Sequence, residues 1–280
     1  MDSCSERYVL KKLLRLSWPI VLARATQSVV GFCDALMVAQ LGEEALAAAT
    51  TGSLNTFAVL ILPMGTVFIV QSFAAQLSGR GELAGARRYA WYGLSIALLF
   101  GVLTALALPF VPALLALLHY TPGVHADMSA YLGWRLWSVF PAIGVEALGN
   151  WYGGLGNTRI SMIAGIVTML ANVAGNYLLI EPRFGLPGYG VAGAAIASTV
   201  ATCLGFAVIV GIFLRDRETR SASAGGFRVS ELKRVLRFGL PNGVNWFLEF
   251  AAFALFVNVV VAHLGTSVLA AFNVVMQINL

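Results

Sequence analysis

The sequence predicts an all-α integral membrane protein, built as one complete six-helix lobe plus the first one or two helices of a second, repeat-related lobe. Three observations carry this. Of 280 residues, 59% are hydrophobic and only 11% charged, against roughly a quarter charged in soluble domains. Mean hydropathy is +0.81. The apolar residues also fall in runs of about 20 or more, the length that crosses a bilayer core.

Seven stretches have that length: 13–39, 53–77, 90–118, 130–155, 160–180, 191–214 and 238–264. An eighth opens near Val268 and meets Leu280 too soon to cross. A spanning segment must satisfy its own backbone hydrogen bonds, so the reading expects a chain cut short within its second lobe. No signal peptide is expected, because the first run is too long for a signal core and no small-residue cleavage site closes it.

Orientation follows from the basic residues. Arg7, Lys11, Lys12 and Arg15 precede the first span; Arg80, Arg87 and Arg88 occupy the second connection and Arg159 the fourth. Arg215, Arg217, Arg220, Arg228, Lys233, Arg234 and Arg237 occupy the sixth. Fifteen of the 18 basic residues thus share one side, and Arg183 alone marks the other. The positive-inside rule places the N-terminus in the cytoplasm and the chain in the plasma (inner) membrane as a multi-pass protein. The net charge of +5 forms no basic stripe with interleaved aromatics, so nucleic acid is not an expected partner.

The sixth connection contains Ser221-Ala222-Ser223-Ala224-Gly225-Gly226 and reads as the boundary between lobes. The expected division is 1–214, a linker at 215–237, and 238–280. An internal repeat supports it. Pro19, Leu41-Gly42 and an alanine-rich opening recur as Pro241, Leu264-Gly265 and Val268-Leu269-Ala270-Ala271, at offsets of 222 for the prolines and 223 for the glycines. Both halves start on the same side, so the repeats are parallel.

Ionisable groups within a bilayer cost roughly 2.5–3.5 kcal/mol each on insertion scales, which makes them functional candidates. Asp34 lies in the first span, Glu146 in the fourth and Glu249 in the seventh. Helical spacing puts Gln27 and Gly31 on the face of Asp34, sets Asn172 and Asn176 one turn apart with Thr168 a turn before them, and aligns Asn242, Asn245 and Glu249. Such polar stripes point into a bundle or cavity. Burial penalises a carboxylate's charge while amide donors favour it, so Asp34 can bind H+ or Na+ and release it elsewhere. The alternatives are a structural acid neutralised by Arg24, and asparagines that merely join helices. Pro19 and Pro63 are candidate bending points, since each lacks an amide donor.

Other features read as structural. Gly149 to Gly153 and much of 192–205 show small residues at four-residue spacing, the pattern of close helix packing. Gly185-Leu186-Pro187-Gly188-Tyr189-Gly190 reads as a turn, not a phosphate loop. Trp18, Trp91, Trp134, Trp137 and Trp151 read as interface anchors near span ends. Cys33 and Cys203 read as packing residues. His119, His125 and His263 have no metal-ligand spacing. No metal triad, nucleophile–base pair or carboxylate dyad appears, so an enzyme is not expected, nor a cofactor.

These residues resemble the multidrug and toxic compound extrusion (MATE) transporters, most closely the NorM-like branch. The match rests on Trp18-Pro19, Asp34 and Leu41-Gly42; on Gln76-Leu77-Ser78-Gly79-Arg80-Gly81 and Ala86-Arg87-Arg88; and on Gly153-Gly154-Leu155-Gly156-Asn157-Thr158-Arg159. It continues through Asn172-Val173-Ala174-Gly175-Asn176, the segment Gly188 to Ala197, Gly239-Leu240-Pro241 and Glu249. The resemblance implies antiport, with H+ or Na+ entering as an organic, often cationic, compound leaves. It implies a cation site at Asp34, Asn172 and Asn176 in the first lobe and another at Glu249 in the second, so Na+ is expected at Asp34 or Glu249 where Na+ is the coupling ion. Gln27, Thr168, Asn242, Asn245 and Glu146 are the candidates to line the substrate cavity. Two features depart from the family pattern: some branches carry an acid where Asn176 stands, and members have twelve helices, so the complete cavity needs a C-terminal lobe that this sequence only begins. A flippase for lipid-linked saccharides, in the same superfamily, is the alternative, but only Arg24 offers a basic cavity residue. A non-transporting fragment is the other.

Overall fold

The computed structural model describes residues 3–117, 121–183, 185, 187–216 and 226–256. The apolar runs become long helices because a chain without water around it must pair its amides within each segment. In order they are α1 (Ser3–Ala39), α2 (Glu43–Val67), α3 (Ile69–Gly79), α4 (Leu83–Ala107), α5 (Val111–Ala116), α6 (Pro122–Arg135), α7 (Val139–Gly154), α8 (Arg159–Leu179), α9 (Gly190–Arg215) and α10 (Val229–Leu255). Phe68 keeps helical dihedrals between α2 and α3, so 43–79 is one rod.

Five stretches, Ser17–Ala39, Glu43–Gly79, Leu83–Ala116, Arg159–Leu179 and Gly190–Arg215, are long and apolar enough to cross a membrane. By length and composition the chain can thus cross a membrane several times. The expected fourth and seventh spans take other forms. The fourth is divided into α6 and α7 by a 3-10 turn at Leu136–Ser138. Pro141 lacks the amide that would bond the Trp137 carbonyl, so the regular ladder is interrupted there. The seventh begins nine residues before the expected 238, because Val229–Arg237 is amphipathic rather than apolar. Val235 is buried while Lys233, Arg234 and Arg237 are exposed. The repeat positions Leu264-Gly265 and Val268–Ala271, the eighth run, His119, His263 and most of the serine–glycine segment lie outside the described residues.

The first six spans pack as one bundle. α8 lies against α9 and α1, α4 and α3 against α7, and α6 against α2 and α9. The small-residue pattern explains the tightest seam. A Cβ added at Gly193 would fall 2.3 Å from the Leu179 carbonyl oxygen, and one at Gly205 would fall 2.1 Å from Thr168 Oγ1. Only glycine permits that approach of α9 to α8. α10 rests on α2 through a second glycine seam, where a Cβ on Gly243 would lie 2.3 Å from the Leu62 oxygen.

At the end carrying the basic connections, side chains fasten the helices. The Trp151 indole is fully buried and donates to the Ala86 carbonyl at 2.8 Å. This corrects its expected role as an interface anchor: α4 and α9 cover it, whereas Trp18, Trp91, Trp134 and Trp137 are about half exposed. Arg87 Nη2 donates to the Phe213 carbonyl at 3.0 Å, occupying an acceptor left open at the end of α9. Cys203 faces outward and Cys33 is half-buried, so only Cys33 fits a packing role.

Candidate functional site

Asp34 sits in the last third of α1, where that helix meets α8 and α9. Asn172 and Asn176 are both fully buried on α8, one turn apart. Asn176 Nδ2 donates to Asp34 Oδ1. Ser198 Oγ, on α9, donates to Asp34 Oδ2 at 3.1 Å and accepts from Asn172 Nδ2 at 2.9 Å. Asn176 Nδ2 also reaches Asn172 Oδ1 at 3.4 Å. The expected trio is therefore one connected group, and Ser198 is the fourth member that the sequence reading missed. Its signal was positional: Ser198 lies seven residues before Gly205, on the same face of α9.

The group has one conspicuous gap. Asn176 Oδ1 is buried and accepts no hydrogen bond. Native proteins leave few buried polar atoms unpaired, because each costs roughly 1–3 kcal/mol. An unpaired carbonyl oxygen beside a carboxylate, a second amide oxygen and a hydroxyl is an all-oxygen donor set. That chemistry suits a proton or a hard monovalent cation.

The alternative in which Arg24 neutralises Asp34 is not formed. Arg24 lies 3.7 Å from Glu146 Oε1 instead, with its side chain 61% exposed. Helical phase explains this, since Arg24 stands ten residues before Asp34, almost three full turns but offset towards α7.

The remaining candidates scatter. Gln27 is exposed on α1. Thr168 Oγ1 donates to the Ala164 carbonyl of its own helix at 2.9 Å. Glu146 accepts from Asn150 Nδ2 at 3.1 Å. Asn242 Nδ2 donates to the Gly65 carbonyl at 2.7 Å and so ties α10 to α2. Asn245 Nδ2 donates to Glu249 Oε1 at 2.9 Å on the exposed face of α10. Glu249 thus belongs to a separate locus from Asp34.

With this geometry in view, comparison with known proteins is decisive. The MatE family model matches residues 19–178. The chain belongs to the MATE family. Among curated relatives, the probable multidrug resistance protein NorM of Rhizobium meliloti (strain 1021) is 30% identical over 268 residues, covering 94% of this chain and 57% of the relative. The protein of the same description from Agrobacterium fabrum is 29% identical over 275 residues, covering 96% and 58%. The chain therefore spans somewhat under 60% of the length of these relatives. Solved structures agree on the fold. A MATE structure in complex with MaL6 superposes with a TM-score of 0.85 at 23% identity, covering 96% of this chain and 60% of that one. A MOP superfamily transporter from Pyrococcus furiosus gives 0.84 at 24% identity, with the same coverage.

Proposed function

We propose that this chain supplies the first lobe, and the start of the second, of an exporter that exchanges H+ or Na+ for organic, often cationic, compounds. The observation that carries the reading is the Asp34 group. A half-buried carboxylate on α1 is bonded to α8 through Asn176 and to α9 through Ser198. The relatives' description as multidrug resistance proteins supports the substrate class.

The mechanism follows from what loading does to those bonds. An ionised Asp34 accepts two hydrogen bonds, which are stronger for being made to a charge. Binding a proton or Na+ neutralises the carboxylate and weakens the tie between α1 and its two neighbours. Pro19, fifteen residues earlier in α1, leaves one carbonyl without an amide partner and is where the released helix can bend. Ion loading thereby changes which packing of the first span is favoured.

In this reading the two lobes divide at the connection between α9 and α10, and the basic end faces the cytoplasm. The exposed Gln27 of α1, and Asn245 and Glu249 of α10, would then face a cavity completed by further helices, Glu249 serving a second cation site. Thr168, Glu146 and Asn242 act in helix packing beside it. The test is dye efflux from everted vesicles under imposed pH or Na+ gradients. Asp34→Asn should insert normally and lose gradient-driven efflux; normal efflux from that variant would overturn the reading.

A further inference from the structure

Next to the Asp34 group, at the end opposite the basic connections, α1 and α8 leave a pocket of about 220 Å³. Met37 and Gln40 of α1 line it, with Asn176, Tyr177, Glu181 and Arg183 from α8 and the segment after it. Asn176 belongs to both places. It is fully buried, it donates to Asp34, and its own Oδ1 has no partner. Asn176 thus borders the pocket and bonds the carboxylate.

The mouth already holds a cation. Arg183 Nη2 donates to Glu181 Oε2 at 2.6 Å, and the guanidinium lies 4.0 Å from the centre of the Tyr177 ring. A carboxylate and an aromatic face are the two elements that attract a positive charge in a partly wet site. Arg183 is also the only basic residue that the sequence assigns to this side of the protein. We propose that this pocket is the antechamber through which the coupling cation reaches Asp34 from outside. Glu181 draws the ion in, and Arg183 is a tethered competitor that sets how much external cation is needed. Both are positioning residues, since neither touches Asp34. The inference rests on the cation-coupling reading above, but the pocket's accessibility and charge can be measured without it.

The first arm of the test uses the protein in proteoliposomes, with Cys4, Cys33 and Cys203 changed to Ser and a single Gln40→Cys or Met37→Cys. Membrane-impermeant thiol reagents of opposite charge are added from outside. Both cysteines should react. Adding Arg183→Ala should speed the cationic reagent at least threefold relative to the anionic one, and Glu181→Gln should shift the ratio the other way. Arg183→Lys should restore the parental ratio, which separates lost charge from lost folding. Cysteines that do not react from outside, or ratios blind to both substitutions, would overturn the antechamber.

The second arm measures transport against external Na+ or proton concentration. Arg183→Ala should lower the half-saturating concentration severalfold at unchanged maximal rate. An unchanged half-saturation would remove Arg183 as competitor. If the thiol ratios shift as described while Asp34→Asn still couples, the exchange reading fails and the charged pocket stands. If Asp34→Asn uncouples while the thiol ratios stay flat, the antechamber alone fails.

Discussion

Glu231 stands at the foot of α10, ahead of its apolar part, and α4 holds it from one side. Arg88 Nε and Nη2 donate to its two oxygens at 2.9 Å each, and Tyr92 OH adds a third bond at 2.9 Å. Both members of the ion pair are less than a fifth exposed. A bidentate, half-buried pair of this kind exceeds the usual surface value of under 1 kcal/mol. Allowing about 1 kcal/mol for each charge-assisted bond, the coupling between Arg88 and Glu231 should be about 2 kcal/mol. The perturbation is the cycle of Arg88→Met, Glu231→Gln and the double variant, which isolates the pairwise energy. The readout is hydrogen exchange across 229–237, normalised to α9. Each single variant should raise exchange roughly thirtyfold, and the double variant should add little. The hydrogen bonds from Arg88 hold the Glu231 carboxyl below its ordinary value of 4.5. The stabilisation is therefore fully present above that pH and is lost as pH falls through the lower, folded value. Additive single effects, or exchange that is indifferent to acid, would refute the argument that this pair anchors α10.

Four further outcomes follow. Ser198→Ala should change the half-saturating concentration of coupling cation by about 3- to 30-fold, the range for one hydrogen bond of roughly 0.6–2 kcal/mol within a membrane bundle; Ser198→Thr, which keeps the hydroxyl, should stay near the parent in the same transport assay. Gly205→Val should cut the folded yield sharply, since the site already lies against Thr168 and the Ala164 carbonyl and overpacking typically costs about 1–3 kcal/mol. Gly31→Ala, with nothing within 4 Å of the added Cβ, should elute and melt like the parent in fluorescence-detected size-exclusion chromatography. Trp151→Phe should lower the melting temperature measurably by deleting the bond to the Ala86 carbonyl, whereas Trp137→Phe, on an exposed face, should not.

The reach of sequence reasoning here tracks what is local. The spacing of Asn172 and Asn176 on one helix is a property of 3.6 residues per turn, and it correctly set them side by side. Asp34 was found because a carboxylate in an apolar run is conspicuous. Ser198 was not, because a serine among alanines carries no such contrast, and its role depends on α9 approaching α8 closely. The small-residue spacing marks that approach, and Ser198 shares its face of α9. Trp151 was misread for a related reason: its position near a helix end is local, but the cover supplied by α4 and α9 is not. Hydropathy located the spans yet passed over Val229–Arg237, where helix formation depends on an amphipathic pattern and not on mean apolarity. Arg24 is conspicuous in the sequence, but only the packing of α1 against its neighbours shows that it lies beside Glu146 and not beside Asp34.

In the proposed exchange, the Asp34 carboxyl is the group that takes up the coupling cation. The most direct measurement is the infrared difference spectrum of the purified, lipid-embedded protein on adding Na+ or lowering pH. The expected result is a carboxyl signal that disappears in Asp34→Asn and persists in Glu146→Gln. The same signal surviving intact in Asp34→Asn would contradict it.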